Sequence, residues 1–324
     1  MRLLLVVNSF ASSVNARNTV IVHRLLSRSH DVEIVETNRR GHAIRFAQDA
    51  ARRELDAVVA FGGDGTLNEV ATGLAGTETA LAVLPGGSTN VFARTIGMAN
   101  DPIVATNSLL AGLHEGRIDP VGLGRVNGRY FCFHVGIGFD AAVVASVERH
   151  ASLKRWLGHP LFMWSSASTW ARGYDRSQPQ FTLHDGHSDR RVEGLFTVVL
   201  NTGPYTYLGN RPIDLAPDAR LQSGLTAVTF TSLQLPVLGS ALLRALRGRP
   251  VSKINGIDEW PSANNLRISA QQATAPVPFQ VDGDYLGETA SLDIDYVDNA
   301  IRLVWPINLG QPDLSPQAQY LERR

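Results

Sequence analysis

The stretch Phe61-Gly62-Gly63-Asp64-Gly65-Thr66-Leu67-Asn68-Glu69-Val70 constrains this chain more than any other. Ahead of it, Leu55 to Phe61 is a short apolar run with β-branched residues, which predicts a buried strand. Behind it, Leu67, Val70, Ala71 and Leu74 fall at i, i+3, i+4 and i+7, the apolar face of a helix. The glycines therefore occupy a strand-to-helix turn. Glycine there allows positive φ and places no Cβ in the way, so backbone N–H groups and the helix N-terminus can approach an anion closely. The pattern describes a phosphate-binding turn, but neither of the two common ones. A P-loop needs Gly-Lys-Ser/Thr at its end, whereas Gly65-Thr66 is followed by Leu67; a dinucleotide fingerprint counted from Gly63 would need glycine where Asn68 stands. Asp64 is the unusual residue, because a carboxylate among phosphate-cradling amides repels the ligand unless a cation lies between them. Mg²⁺ is commonly held by one or two carboxylates plus substrate phosphates.

The flanking segments repeat the same unit. Leu3 to Val7 predicts a strand, Asn8 to Ser13 a polar turn, and Asn18 to Ser27 a helix; Val32 to Glu36 and Ala43 to Glu54 form the next strand and helix. Leu81 to Leu84 is a further strand, followed by Pro85-Gly86-Gly87-Ser88-Thr89-Asn90 and another helical start. Alternation of this kind predicts an α/β domain, a doubly wound parallel sheet with its ligand at the carboxyl ends of the strands. From about Gly122 the pattern changes. Leu123 to Val126 and Arg129 to Val135 flank Asn127-Gly128, a strong hairpin signal, and a helix follows at Ala141 to Glu148. Strands are then predicted at Phe181 to His184, Leu195 to Asn201, Ala227 to Thr231, Leu266 to Ala270, Phe279 to Val281, Leu292 to Tyr296 and Ile301 to Trp305, a second and mostly antiparallel β domain.

Gly62-Gly63-Asp64-Gly65-Thr66 with its continuation Leu67-Asn68-Glu69-Val70 resembles the signature of the diacylglycerol kinase catalytic family, which includes bacterial lipid kinases and sphingosine kinases and is related to the NAD kinases. The resemblance extends through nearly the whole chain. It implies an NAD kinase-like nucleotide-binding domain over 1–120 plus a returning 299–324, and a β-sandwich substrate domain over 121–298. Asn8 stands where the family has its first loop, though without that loop's proline and glycine; Thr37, with Gly41-His42 after it, resembles the segment near the nucleotide. Gly86, Gly87, Ser88, Thr89 and Asn90 resemble the second glycine-rich loop. With Gly62, Gly63, Gly65 and Thr66 these are the expected ATP-binding positions. Many members have Asn-Asp where this chain has Asn90-Val91, so one acid of the usual network is absent. Near the far end, Asp282-Gly283-Asp284 resembles the family's Asp-Gly-Glu, with Asp282 as general base and Asp284 in the metal and water network. Asp64 and Asp284 are the implied Mg²⁺ positions and, with Asp282, the implied catalytic residues. An ordinary Asp-Gly turn is the alternative for that segment. Asp119 reads either as a supporting acid or as a turn residue. Gln222-Ser223 replaces a segment that in some bacterial relatives is Asp-Asp-Gly and holds a structural Mg²⁺, so no ion is expected there.

Charge and composition bound the partners. Lys+Arg and Asp+Glu both total 30, so no global basic field points to nucleic acid. The lone cysteine, Cys132, lies in an apolar run and reads as a core residue of a protein in a reducing compartment. No window approaches a membrane span, and the apolar N-terminus is too short for a signal peptide. The expectation is a cytoplasmic, peripherally membrane-associated protein, with a homo-oligomer left open. Two basic clusters bear on the membrane: Lys154 and Arg155 before Trp156, Phe162, Trp164 and Trp170, and Arg244, Arg247, Arg249 and Lys253 around a predicted helix. Each reads either as an attraction to anionic lipid or as a solvated face. His184 and His187 straddle Asp185-Gly186 and read as a hairpin tip. The leading functional expectation is an ATP- and Mg²⁺-dependent kinase acting on a diacylglycerol-like lipid; the alternatives are a soluble-substrate kinase of the NAD kinase type and a non-catalytic nucleotide- or lipid-binding relative.

Overall fold

The computed structural model describes residues 1–149, 174–272 and 274–307. The aromatic cluster from Lys154 to Trp170 and the tail from Gln311 lie outside the described residues. The chain divides into two compact units, Met1–Leu123 with Asp298–Arg324, and Gly124–Val297.

In the first unit, strands β1 (Arg2–Val7), β2 (Asp31–Glu36), β3 (Ala57–Gly62) and β4 (Ala80–Pro85) alternate with helices α1 (Ala16–Leu26), α2 (His42–Arg52), α3 (Asp64–Leu74), α4 (Val91–Thr95) and α5 (Pro102–His114). The four strands pair in parallel, in the order β2-β1-β3-β4. Beyond β4, Arg302 and Leu303 pair in parallel with Ala80 and Leu81. Every residue of β3 and β4 is buried, as expected for parallel strands covered on both faces. The helix starts follow from their caps: Asn15 accepts from the Asn18 N–H, and Asp101 accepts from Ile103 and Val104 with Pro102 opening α5. Helices α2 and α3 pack closely because Gly73 has no side chain; a Cβ there would lie 2.6 Å from the Ile44 carbonyl oxygen. The consequence for function is directional. Asn8, Thr37, Gly62 to Thr66 and Gly86 to Asn90 all follow the carboxyl ends of parallel strands, the edge where such sheets bind ligands.

The second unit contains β5 (Ile118–Val126, its last residues), β6 (Arg129–Phe131), β7 (His134–Gly138), α6 (Phe139–Arg149), β8 (Phe181–Asp185), β9 (Arg191–Gly194), β10 (Phe196–Leu200), β11 (Thr206–Leu208), β12 (Arg211–Ile213), β13 (Leu225–Phe230), α7 (Leu235–Ala245), β14 (Ile257–Ala263), β15 (Asn265–Ala270), β16 (Val277–Val281), β17 (Asp284–Thr289) and the first half of β18 (Ser291–Val304). One antiparallel sheet runs β14-β13-β10-β7-β16-β17. In a second layer β15 pairs with β18 and β8, and β8 with β9. Val135, Ile137, Val199, Ala227 and Val281 from the first sheet share a core with Phe181, Leu183, Leu266, Ile268 and Leu292 from the second. The alternate residues Phe196, Val198, Leu200, Val228 and Phe230 point to the opposite face, where Ala241 and Ala245 of α7 cover them.

The expected α/β architecture with a parallel sheet and a separate antiparallel part is present. Asn127 and Gly128 both have positive φ, as their two-residue hairpin turn requires. Three strand expectations need correction. Arg129 to Val135 is broken into β6 and β7 at Cys132-Phe133, whose N–H groups turn to the Asp282 carboxylate. Leu292 to Tyr296 and Ile301 to Trp305 are one strand, β18, running through Val297-Asp298-Asn299 with Asn299 at φ 50°. The polar strands β9, β11, β12, β14 and β17 went unread because their apolar content is low or broken by turn-forming residues.

Candidate active site

In the first unit three loops are tied to one another. Asn8 Nδ2 donates to Thr66 Oγ1 at 2.9 Å, Asn8 Oδ1 accepts from the Phe10 N–H at 3.1 Å, and the Asn8 N–H donates to the Phe61 carbonyl at 3.0 Å. One asparagine thus anchors this loop without the proline and glycine of the family pattern. The Ser13 N–H donates to the Gly86 carbonyl at 2.8 Å and Ser13 Oγ to the Gly87 carbonyl at 3.3 Å. The two glycine turns touch backbone to backbone: a Cβ on Gly86 would lie 2.8 Å from Gly62 Cα, and one on Gly87 2.9 Å from Gly63 Cα. Gly86 and Gly87 must be bare at that contact, whereas a Cβ on Gly63 would lie 3.5 Å from Gly87 Cα, an ordinary packing distance. Asn90, at φ 51°, closes its loop by accepting from the Gly87 N–H at 2.7 Å and donating to the Gly87 carbonyl at 2.8 Å and to Asn100 Oδ1 at 2.7 Å. Ser88 is left exposed and Thr89 half-buried on its outer side. Thr37 is buried after β2, its N–H on the Val7 carbonyl at 2.8 Å. It shares the strand edge but lies across β1 from the glycine turns.

Asp64 opens α3, half-buried, and its carboxylate accepts from the Val91 N–H at 3.0 Å and the Phe92 N–H at 3.2 Å. It therefore caps the first turn of α4 while sitting in the first turn of α3. The N-cap residue of α3 is Gly63, which has no side chain to occupy the N–H groups of that turn. Val91, where many relatives carry an acid, is buried and contributes its N–H instead. Glu69 has a role that sequence reasoning missed. It accepts from the Gly41 N–H at 2.8 Å and the Ala43 N–H at 3.1 Å, capping α2. Among the described residues no three His, Cys, Asp or Glu side chains gather as a metal group. Asp64 is the carboxylate that stands beside the glycine turns, where an ion brought by nucleotide phosphates would need one.

In the second unit Asp282 and Gly283, at φ 48° and 83°, form a two-residue turn that joins β16 to β17 with Val281 opposite Asp284. The Asp282 side chain turns inward and is 5% exposed. Its Oδ2 accepts from the Cys132 N–H at 2.7 Å and its Oδ1 from the Phe133 and His134 N–H groups at 3.0 Å each. This is why the run from Arg129 breaks: the bend at Cys132-Phe133 aims three N–H groups at one carboxylate instead of at a neighbouring strand. Asp284, two residues later, opens β17 half-buried, with Arg129 Nη2 3.8 Å away. Behind the turn, the Gly283 N–H donates to Gln280 Oε1 at 2.8 Å, and Gln280 Nε2 donates to Asp140 Oδ2 at 2.7 Å. Tyr205 donates its hydroxyl to Asp140 Oδ1. Asp140 reaches this position because Gly136 is bare; a Cβ there would lie 1.7 Å from Asp140 Oδ2. Burial raises the Asp140 pKa, opposed by the bonds from Tyr205 and Gln280. The His134 ring lies 4.8 Å from that of Tyr205, and burial lowers its pKa to about 3, leaving a neutral imidazole. His134 and Gln280 were detectable in principle as polar residues inside the apolar runs Phe131 to Ile137 and Phe279 to Val281.

The clasp on Asp282 has a measurable consequence. Asp282→Ala leaves three buried N–H groups without their acceptor, at about 1–3 kcal/mol each before relaxation. A loss of roughly 3–5 kcal/mol is expected in urea denaturation followed by circular dichroism, and a loss under about 1 kcal/mol would show that the clasp contributes little.

Asp119 is exposed within β5, in a strand rather than a turn. Cys132 is buried. His184 and His187 flank the β8–β9 connection, where Asp185 accepts from the His187 N–H at 3.1 Å and from Ser188 Oγ at 2.6 Å. In the Gln222-Ser223 segment Gln222 has φ 73°, and Ser223 Oγ closes the turn on the Arg220 N–H and carbonyl at 3.1 and 2.6 Å. No helix among the described residues is long and apolar enough to cross a membrane.

Comparison with known proteins gives a consistent set of likenesses. A family model described as Diacylglycerol kinase catalytic domain matches residues 2–126. A "Probable lipid kinase YegS-like" of Pseudomonas aeruginosa is 30% identical over 298 residues, 91% of each chain. A "Diacylglycerol kinase" of Bacillus subtilis is 28% identical over 256 residues, 76% of this chain and 77% of the relative. The crystal structure of a diacylglycerol kinase from Bacillus anthracis superposes with a TM-score of 0.68 at 20% identity, covering 94% of this chain and 96% of that one; at that identity the likeness concerns the fold.

Proposed function

We propose, from the premise that this chain belongs to the diacylglycerol kinase catalytic-domain family and is at the coarse level a lipid kinase, that it transfers the γ-phosphate of ATP to a hydroxyl of a diacylglycerol-like lipid at the cytosolic membrane surface. The observation that carries this reading is the pair of glycine turns packed backbone to backbone beside Asp64. Phosphoryl transfer asks the protein mainly for positioning and for charge stabilisation. The bare backbone of Gly62, Gly63, Gly65, Gly86 and Gly87 supports close approach of phosphate oxygens, and Asn8, Ser13 and Asn90 hold those turns rigid. Asp64 would hold Mg²⁺, which offsets phosphate charge when bound.

The alcohol's proton needs an acceptor, and the environment of the two late acids supports a division of labour different from the one the resemblance implies. Asp282 accepts three N–H bonds that favour its charged form, so taking up the alcohol's proton would weaken all three. Asp284 is half-buried at the start of β17, within reach of solvent. We assign the proton acceptor to Asp284 and the shaping of its turn to Asp282. A radiolabel transfer assay tests the function. Purified protein with Mg²⁺ and γ-labelled ATP should label a diacylglycerol dispersed in mixed micelles; sphingoid base and monoacylglycerol run beside it as competing lipids. Label entering NAD and no lipid would favour the soluble-substrate kinase, and label entering none of them would favour a non-catalytic relative.

A further inference from the structure

Helix α7 carries apolar residues on the face turned to water as well as on the face that packs. It buries Ala241 and Ala245 against the sheet with Val237 and Leu238 half-buried beside them, and turns three further leucines outward: Leu235 is 62% exposed and Leu242 and Leu243 49% each. A surface helix ordinarily carries polar residues on that face. Among the described residues the other exposed large apolar side chains, such as Phe10, Val20 and Val104, are scattered over different elements. The charge around α7 is equally one-sided. From Thr231 to Gly256 the chain carries Arg244, Arg247, Arg249 and Lys253 and no Asp or Glu, in a protein whose totals balance at 30 and 30. Arg244 is turned back, its Nε donating to the Pro250 carbonyl at 2.8 Å, while Arg247, Arg249 and Lys253 are exposed in the turns that follow the helix. Cations after a helix C-terminus complement its dipole, which accounts for part of the charge. It does not account for the leucines.

We infer that α7 and the turns after it, through Lys253, dock this protein on an anionic lipid surface. The outward leucines enter the boundary between headgroups and acyl chains, and Arg247, Arg249 and Lys253 meet the anionic headgroups, the division of an interfacial amphipathic helix. The inference deepens the lipid kinase reading and rests on it for the occupant, because a lipid substrate must be taken from a lipid surface. A protein partner would match exposed leucines equally well, but three exposed cations in a segment that carries no acid of its own favour an anionic membrane.

Sedimentation with vesicles of phosphatidylcholine alone, and of phosphatidylcholine with a quarter phosphatidylglycerol, tests this without any need for catalysis. The parent should bind the anionic vesicles more tightly, and less so at high salt. The double substitution Leu242→Ser with Leu243→Ser should weaken that binding at least about tenfold. Arg247→Gln, Arg249→Gln and Lys253→Gln together should weaken it on the order of a hundredfold and remove the preference for anionic vesicles. Thermal melts should match the parent, since all five side chains are exposed. Turnover of a short-chain diacylglycerol dispersed as monomer should be unchanged in both variants. Undiminished vesicle binding in the leucine variant would overturn the proposal. So would a parent dimer in velocity sedimentation that the leucine variant alone dissociates while still binding vesicles, which would make this face an interface between copies. A protein that binds vesicles through α7 but transfers no phosphate would leave the docking surface standing and remove the kinase reading.

Discussion

Asp64→Asn should lower kcat by roughly 10² to 10³ while the protein stays folded. The size follows from what the residue is asked to do: charge-stabilising groups in a water-poor site are commonly worth that much in rate. The structural cost is separate and smaller. Asp64 accepts from Val91 and Phe92 with its two oxygens, and asparagine can keep one acceptor while its amide opposes the other N–H. The expected loss is about 1–2 kcal/mol, typical of a weakened helix cap. Measuring kcat with Mg²⁺ and ATP at saturation beside a urea denaturation curve separates the two effects. Activity within about threefold of the parent would remove Asp64 from the chemistry and leave it a cap for α4. Total unfolding would mean that the cap is its dominant role.

The second large effect is expected at Asp284. If it takes the alcohol's proton, Asp284→Asn should lower kcat by roughly 10² to 10⁴, the usual range for a lost general base, with little change in the KM for ATP. Stability should shift by no more than about 0.5 kcal/mol, because the half-buried pair with Arg129 at 3.8 Å is worth little in solvent. Asp284→Glu should recover most of the rate, since the family pattern has glutamate there. Set beside Asp282→Ala, the variant discriminates sharply: one change is expected to cost rate without stability, the other stability first. A fully active Asp284→Asn, together with an Asp282 variant that folds yet loses kcat, would return the proton acceptor to Asp282.

What could be read from the sequence concerns short range. The strand before Gly62 and the helix after it follow from apolar periods of the two kinds. Asn127-Gly128 and Asp282-Gly283 are dipeptides whose own backbone preferences make two-residue turns, and both have positive φ at each position. The placement of Asn8, Thr37, Gly62 to Thr66 and Gly86 to Asn90 at one edge of a parallel sheet follows from alternation alone. Each of these rules joins residues a few positions apart, or one residue to its own dihedral angles. Tertiary structure decided what the polar side chains do once they arrive. Asp64 meets α4 across 27 positions, Asp282 meets Cys132 across 150, and Gln280 meets Asp140 across 140. Nothing in the local sequence distinguishes an Asp-Gly turn whose carboxylate faces water from one whose carboxylate gathers three N–H groups. The same holds for α7, where the leucine spacing marks a helix but only the sheet it packs on determines which face is outward. The physical reason is common to all these cases: backbone preference and hydrophobic period are properties of a segment, whereas a buried polar group is stable only if packing brings its partner within hydrogen-bond reach, and that partner is chosen by the fold.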